Sequence, residues 1–104
     1  MLNRGTTPLH SFALPAELSD VELSALHISY AQCGRVRLEK ALGDAGVVVS
    51  GGTITVQLTQ EDTLVFFGRA EVRIQIRLKT ANGDALASNI ISVPVGEILK
   101  DGVI

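Results

Sequence analysis

The fold class of this chain is decided by the stretch AEVRIQIRLK at residues 70–79. Its apolar members Val72, Ile74, Ile76 and Leu78 alternate one for one with charged or polar residues. A period of two places successive side chains on opposite faces of a β-strand. The stretch therefore predicts a half-buried antiparallel strand, with one face on a core and the other in water.

The same alternation, in weaker form, recurs along the rest of the chain. Further strands are predicted at residues 9–14, 26–30, 36–38, 47–49, 53–59 and 85–95. In the strand at residues 36–38, Val36 and Leu38 are predicted to face inward. About seven short strands in a chain of this size predict an all-β, immunoglobulin-like antiparallel β-sandwich. A jelly roll or an open barrel is compatible with the same pattern.

Turn signals separate the predicted strands. Asn82-Gly83-Asp84 is a strong hairpin signal, and Pro94 cannot donate to a ladder, so the last strand is expected to end at a sheet edge. Thr59 is followed three positions later by an acidic residue, Asp62. This spacing predicts one short helical turn that begins with a motif similar to a capping box. This turn is expected to carry the chain from one sheet to the other.

Length and composition predict one domain over residues 1–104. The formal net charge of −2 disfavours a nucleic-acid-binding role, which normally requires a basic balance. One cysteine allows no internal disulfide, and no apolar run approaches the roughly 20 residues of a membrane helix. Residues 1–6 lack the apolar region of a signal peptide, so we expect the protein to be made and folded in the cytoplasm, without secretion and without a membrane partner.

Three segments resemble small immunoglobulin-like structural proteins of prophages of Gram-positive bacteria. They are the opening Arg4-Gly5-Thr6 that runs into an alternating strand, the strand and turn at residues 54–64, and the hairpin at residues 72–88. In outline the chain also resembles the N-terminal domain of phage baseplate upper proteins, although it stops after one domain.

This resemblance implies a virion structural protein, an adaptor or decoration module of the tail or baseplate. Its expected partners are other phage structural proteins or copies of itself, so a homo-oligomer is one possible state. The alternative is a sandwich module that binds carbohydrate or a cell surface. Such modules usually stack sugars on exposed aromatic rings, and this chain has no Trp, one Tyr and three Phe.

No residue set suggests catalysis, a metal or a cofactor, so we expect the protein not to be an enzyme. His10 and His27 lack acids or cysteines at metal-ligand spacing. Cys33 falls in a predicted turn, where we interpret it as a tolerated exposed residue. Glu61 and Asp62 are neighbours on one turn, which suits helix capping better than paired acid–base catalysis.

Two surfaces are candidates for partner binding. If the strands at residues 35–39 and 71–79 were neighbours, their outward basic residues would form one face for an acidic partner. That face would contain Arg35, Arg37, Arg73, Arg77 and Lys79. Residues 1–6 and 97–104 carry apolar residues with no evident place in the sandwich, so both termini are candidate extended or docking segments. In the C-terminal segment the candidate docking residues are Ile98, Leu99, Val103 and Ile104.

Overall fold

A computed structural model of the chain describes residues 2–104. Within that range the chain forms nine strands, one short 3-10 turn at Ala16–Leu18 and one helix, α1, at Gln60–Leu64. The strands are β1 (Leu2–Asn3), β2 (Leu9–Ala13), β3 (Leu23–Gln32), β4 (Arg35–Ala41), β5 (Val47–Ser50), β6 (Thr53–Gln57), β7 (Glu71–Thr80), β8 (Ala85–Ala87) and β9 (Ile91–Gly96). The mostly-β prediction is confirmed. Met1, the first residue of the predicted N-terminal docking segment, lies outside the described residues.

The strands form two sheets of unequal size. The large sheet has the order β1-β9-β7-β3-β4, with β8 also paired to β7, and the small sheet has the order β2-β6-β5. All pairings are antiparallel except that of β1 with β9, which is parallel. The long strands β3 and β7, of ten residues each, form the centre of the large sheet.

The core lies between the two sheets. The alternation predicted for β7 is confirmed, since Val72, Ile74, Ile76 and Leu78 are buried while Arg73, Arg77 and Lys79 are exposed. Facing them, the small sheet buries Ile54 and Val56. Between the sheets lie further apolar residues of the same cluster, among them Leu26, Ile28, Tyr30, Leu58 and Phe66. Burial of such side chains supplies the main favourable term in folding.

Helix α1 connects the small sheet to the large one and begins as the sequence predicts. Thr59 is its N-cap: the Thr59 hydroxyl accepts from the Asp62 N–H at 3.1 Å, and the Asp62 carboxylate accepts from the Thr59 N–H at 2.9 Å. These reciprocal bonds are a capping box, which satisfies two backbone donors that a helix start would otherwise leave unpaired. Asp62 also contacts the Lys40 ammonium at 2.9 Å, which fixes the helix to β4.

The prediction of one long strand at residues 85–95 is wrong, because the structure has two strands there, β8 and β9. The chain breaks at Ser88, whose hydroxyl accepts from the Ile76 N–H at 3.0 Å and donates to the Asn89 carbonyl at 2.9 Å. A serine side chain thus replaces a backbone partner in the ladder, and the strand cannot continue in register. Pairing with β7 resumes only at Ile91, opposite Ile74.

Candidate protein interaction site

Three of the five predicted basic residues share the outer face of the large sheet. In the β3–β7 pairing Arg73 lies opposite Ala31, Arg77 opposite His27, and Lys79 opposite Ala25. Residues directly opposite each other in an antiparallel pair point to the same side of the sheet. Arg73, Arg77 and Lys79 therefore form a basic row on this face.

Arg35 and Arg37 do not join that row. The expectation that their strand neighbours β7 is wrong, because β3 lies between β4 and β7. A bulge between Tyr30 and Ala31 also shifts the β3–β4 register, so that Leu38 pairs with Tyr30 but Val36 pairs with Ala31. One extra residue in one strand reverses which side chains face outward beyond it.

The bulge explains the positions of three β4 side chains. Val36, predicted to face inward, is 58% exposed and shares the outer face with Ala31. The Arg37 guanidinium lies 4.6 Å from the centre of the Phe67 ring, in a cation–π contact with the loop after α1. Arg35 pairs with the buried Gln32. No signal in the sequence marks this bulge.

The outer face is mixed in charge. His27 on β3 contacts Glu39 on β4, with 3.0 Å between the imidazole Nδ1 and the carboxylate, and both side chains are about half exposed. Glu71 is also exposed at the α1 end of β7. Exposed charges of both signs are typical of a solvated sheet face.

The N-terminal segment is fixed within its own chain. Leu2 is buried, and the Arg4 Nε donates to the Phe66 carbonyl at 2.7 Å. Thr6 exchanges two hydrogen bonds with the buried Thr63 side chain on α1. The Arg4-Gly5-Thr6 motif therefore attaches the first residues described to α1 and to the loop that follows it.

The C-terminal segment, in contrast, leaves much apolar surface in water. Leu99 and Ile104 are almost completely exposed and Val103 is about half exposed, whereas Ile98 is partly buried beside Gly5. We call residues 98–104 the tail. The tail lies against α1, where the Gln60 side chain hydrogen-bonds both the N–H and the carbonyl of Ile104, at 2.8 and 3.2 Å.

A surface that the sequence reasoning did not identify is an apolar groove between the two sheets. It lies where β2, at the edge of the small sheet, faces β7 and β8 of the large one, and its volume is about 490 Å³. Its walls are mainly aliphatic and include Phe12, Leu14, Leu18, Ile54, Ile76, Leu78 and Leu86. A smaller cavity that shares Phe12, Ala13, Ile76 and Ser88 continues it towards Ile91. We call the two together the groove.

The groove arises from the mismatch between the sheets. The strands of the small sheet are four or five residues long, whereas β3 and β7 have ten, so the small sheet does not cover the far end of β7. The break at Ser88 then turns the chain away from β7 and leaves Leu86 43% exposed. The sequence signal that could have indicated the groove is Ser88-Asn89, two adjacent polar residues between the apolar residues 85–87 and 90–91.

His10 lies on β2, His27 on β3 and Cys33 in the β3–β4 turn, whereas Glu61 and Asp62 are neighbours on α1. His10 Nδ1 lies 2.8 Å from the Tyr30 hydroxyl. Burial lowers the pKa of His10, and burial raises the pKa of Tyr30, with the Asp62 charge acting in the same direction. Cys33 is exposed in the β3–β4 turn with φ +53°. Among residues 2–104, no three His, Cys, Asp or Glu residues are grouped so that they could hold a metal ion.

No protein-family model matches this chain, and neither a curated protein nor a solved structure matches it.

Proposed function

We propose that this chain is a structural module that acts by binding other proteins, not by catalysis, and without a cofactor. The observation that carries this proposal is the groove together with the exposed tail. Apolar surface that stays in water costs free energy, and contiguous apolar surface on a folded domain commonly marks a binding site. The outer-face arginines are at most a secondary contribution to orientation.

The setting that we propose for this activity is a phage or prophage virion, in which the chain serves as an adaptor or decoration module of the tail or baseplate. The support is the resemblance of residues 4–15, 54–64 and 72–88 to prophage structural proteins. We propose accordingly that the protein is made in the bacterial cytoplasm and incorporated into the particle. Its partners there would be other virion proteins or copies of itself, and not nucleic acid or a membrane. Among residues 2–104, no helix has the length and apolar character needed to cross a membrane.

Strand order supports the immunoglobulin-like form of the sandwich as part of this proposal. An immunoglobulin-like sandwich places its second, fifth and fourth strands in one sheet and its third, sixth and seventh in the other. Here β2, β6 and β5 form the small sheet, while β3, β7 and β9 are adjacent in the large one. On this correspondence β4 is an added strand beside β3, and β1 differs from the pattern because it pairs with β9 in the large sheet instead of joining the small one.

Carbohydrate binding remains the alternative function, with less support. Phe67 is the one aromatic residue among the large apolar side chains that are well exposed within residues 2–104. Its ring is covered on one side by Arg37 and does not line the groove. A stacking site for a sugar would need an open aromatic face.

The proposed setting can be tested on particles from the cells that encode the chain. Immunogold labelling with an antibody against the purified protein should decorate the tail or baseplate, and unlabelled particles would contradict the virion proposal. Leu86→Asp, which places a charge in the groove, should reduce the amount of protein incorporated per particle. Val48→Asp is the matched control, because Val48 is 56% exposed on β5, away from the groove.

A further inference from the structure

We propose that Asn82 is a site of spontaneous deamidation, which converts it mainly to an isoaspartyl residue within the turn between β7 and β8. The turn, residues 81–84, is exposed at every position, and the residue that follows Asn82 is a glycine. The only reactants are the chain itself and water, so the modification needs no enzyme. It does not depend on the proposed virion role.

The reaction is an attack of the backbone on the neighbouring side chain. The Gly83 nitrogen gives its proton to a base in solution and bonds to the side-chain carbonyl carbon of Asn82. The amide nitrogen of that side chain then takes a proton from water and leaves as ammonia, which closes a five-membered succinimide ring. Water opens the ring at either carbonyl and gives aspartate or isoaspartate. The sum is asparagine and water converted to an acid and ammonia, with nothing oxidised or reduced.

The residue after an asparagine decides whether the backbone nitrogen can approach the side chain. The three asparagines of the chain are all exposed, so exposure does not separate them: Asn3, Asn82 and Asn89. Arg4 follows the first and Ile90 the third, and the side chain of each crowds the attacking nitrogen. Gly83 has no Cβ, and the space that a Cβ would occupy is open. Asn82 is therefore the reactive asparagine.

One hydrogen bond in the turn opposes the reaction. The Gly83 N–H donates to the Thr80 carbonyl at 2.9 Å, so the attacking nitrogen is occupied while the turn is closed. Opening this turn costs little, because β8 has three residues, each of them exposed. Segments with exposed backbone hydrogen bonds and few buried contacts open at the lowest free energies in a domain. Deamidation therefore proceeds through local openings of the β7–β8 hairpin.

An isoaspartyl residue changes the turn in a way that aspartate does not, because it adds one carbon atom to the backbone between β7 and β8. The turn in its present length fits both strands: the Thr80 N–H donates to the Asp84 carbonyl at 2.9 Å, and Lys79 pairs with Ala85. Loop length sets the register of a hairpin, so a longer path disturbs this pairing. We expect β8 to separate from β7, which also displaces Leu86 from the wall of the groove.

The first measurement is the rate of conversion at each asparagine. The purified full-length chain is incubated in mildly alkaline buffer at physiological temperature. Samples are digested and analysed by mass spectrometry, with a fragmentation method that distinguishes isoaspartate from aspartate. Asn82 should convert at least about tenfold faster than Asn3 or Asn89, mainly to isoaspartate and faster at higher pH. An Asn82 that converts no faster than the other two, or to aspartate alone, would overturn the proposal.

The second measurement is hydrogen exchange of the backbone amides at residues 85–88 before and after incubation. The aged wild type should lose protection there, including that of the Ser88 N–H, which donates to the Ile76 carbonyl at 2.8 Å. Asn82→Gln should not age, because its longer side chain closes a six-membered ring much more slowly. Asn82→Asp carries the added charge on an ordinary backbone, so the fresh variant should keep its protection.

Both variants change an exposed side chain, and circular dichroism should show each of them folded. An aged wild type that keeps full protection of β8, or a fresh Asn82→Asp that loses it, would overturn the predicted opening of the hairpin by the isoaspartyl linkage. None of these results bears on the virion proposal, which the immunogold test decides.

Discussion

Replacing Gln32 by leucine tests how the loop after α1 is held in place. Gln32 ends β3 with 1% of its surface exposed. Its amide donates to the Phe67 carbonyl at 2.8 Å and accepts from the Phe67 N–H at 2.8 Å, so one side chain satisfies both backbone groups of a single residue. A second, longer contact of 3.5 Å joins the amide nitrogen to the Ala70 carbonyl.

Leucine has nearly the same volume but can make none of these bonds. The Phe67 N–H and carbonyl would lose their partners in a partly buried site, where each unpaired group costs about 1–3 kcal/mol. Some of this cost is offset by the greater hydrophobicity of leucine. We expect Gln32→Leu to lower the free energy of unfolding by about 3 kcal/mol in total. For a domain of this size that corresponds to a fall in Tm of roughly 10–20 °C.

The assay is urea unfolding followed by circular dichroism, with Gln75→Leu as the matched control. Gln75 lies on the outer face of β7 and donates to the Ser88 carbonyl at 3.1 Å in an exposed setting, so its loss should cost less than about 1 kcal/mol. The denaturant slope should stay constant, as it does when only stability changes. If Gln32→Leu were no more destabilising than Gln75→Leu, the reasoning about the buried amide would be refuted.

Three further predictions concern a glycine and two titrating groups. Gly5 has φ +70°, and a Cβ there would lie 2.9 Å from a side-chain atom of the tail, whereas Gly34 has φ +77° with open space around it. Gly5→Ala should therefore cost about 1–2 kcal/mol from its backbone conformation and lower Tm more than Gly34→Ala does; equal losses would contradict the contact. Burial opposes ionisation of Asp62, but hydrogen bonds from the helix start and from Lys40 hold its pKa below the ordinary 3.8. Asp62→Asn should thus cost about 1–2 kcal/mol at pH 7 by denaturant unfolding, and the difference from wild type should shrink as the pH falls below 3.8; a constant difference would exclude this ion pair as its cause. Burial lowers the pKa of His10 from 6.5, so its contribution to stability is complete above pH 6.5 and is lost as the pH falls through the lower folded value. His10→Gln should therefore flatten the dependence of unfolding free energy on pH between 7 and 5, and an unchanged slope would contradict this assignment.

The local features of this fold could be predicted from the sequence because they depend on near neighbours. Strict alternation fixed which face of β7 is buried, since a strand has a period of two whatever surrounds it. Thr59 and Asp62 predicted the start of α1, because a capping box is made within four residues. Composition predicted the class of structure, as an aliphatic chain with many turn residues can bury a core between short sheets.

Features that depend on pairing between distant strands were decided only by the tertiary structure. The β3–β4 bulge reverses the faces of Val36 and the arginines beside it, and a bulge is defined by the partner strand, not by the residues that form it. The groove exists because the strands of one sheet are shorter than those of the other and because Ser88 takes over a backbone hydrogen bond of Ile76. The sequence thus determined that the chain would form an apolar core between β-sheets, and the register and relative lengths of the strands decided which apolar residues stayed uncovered.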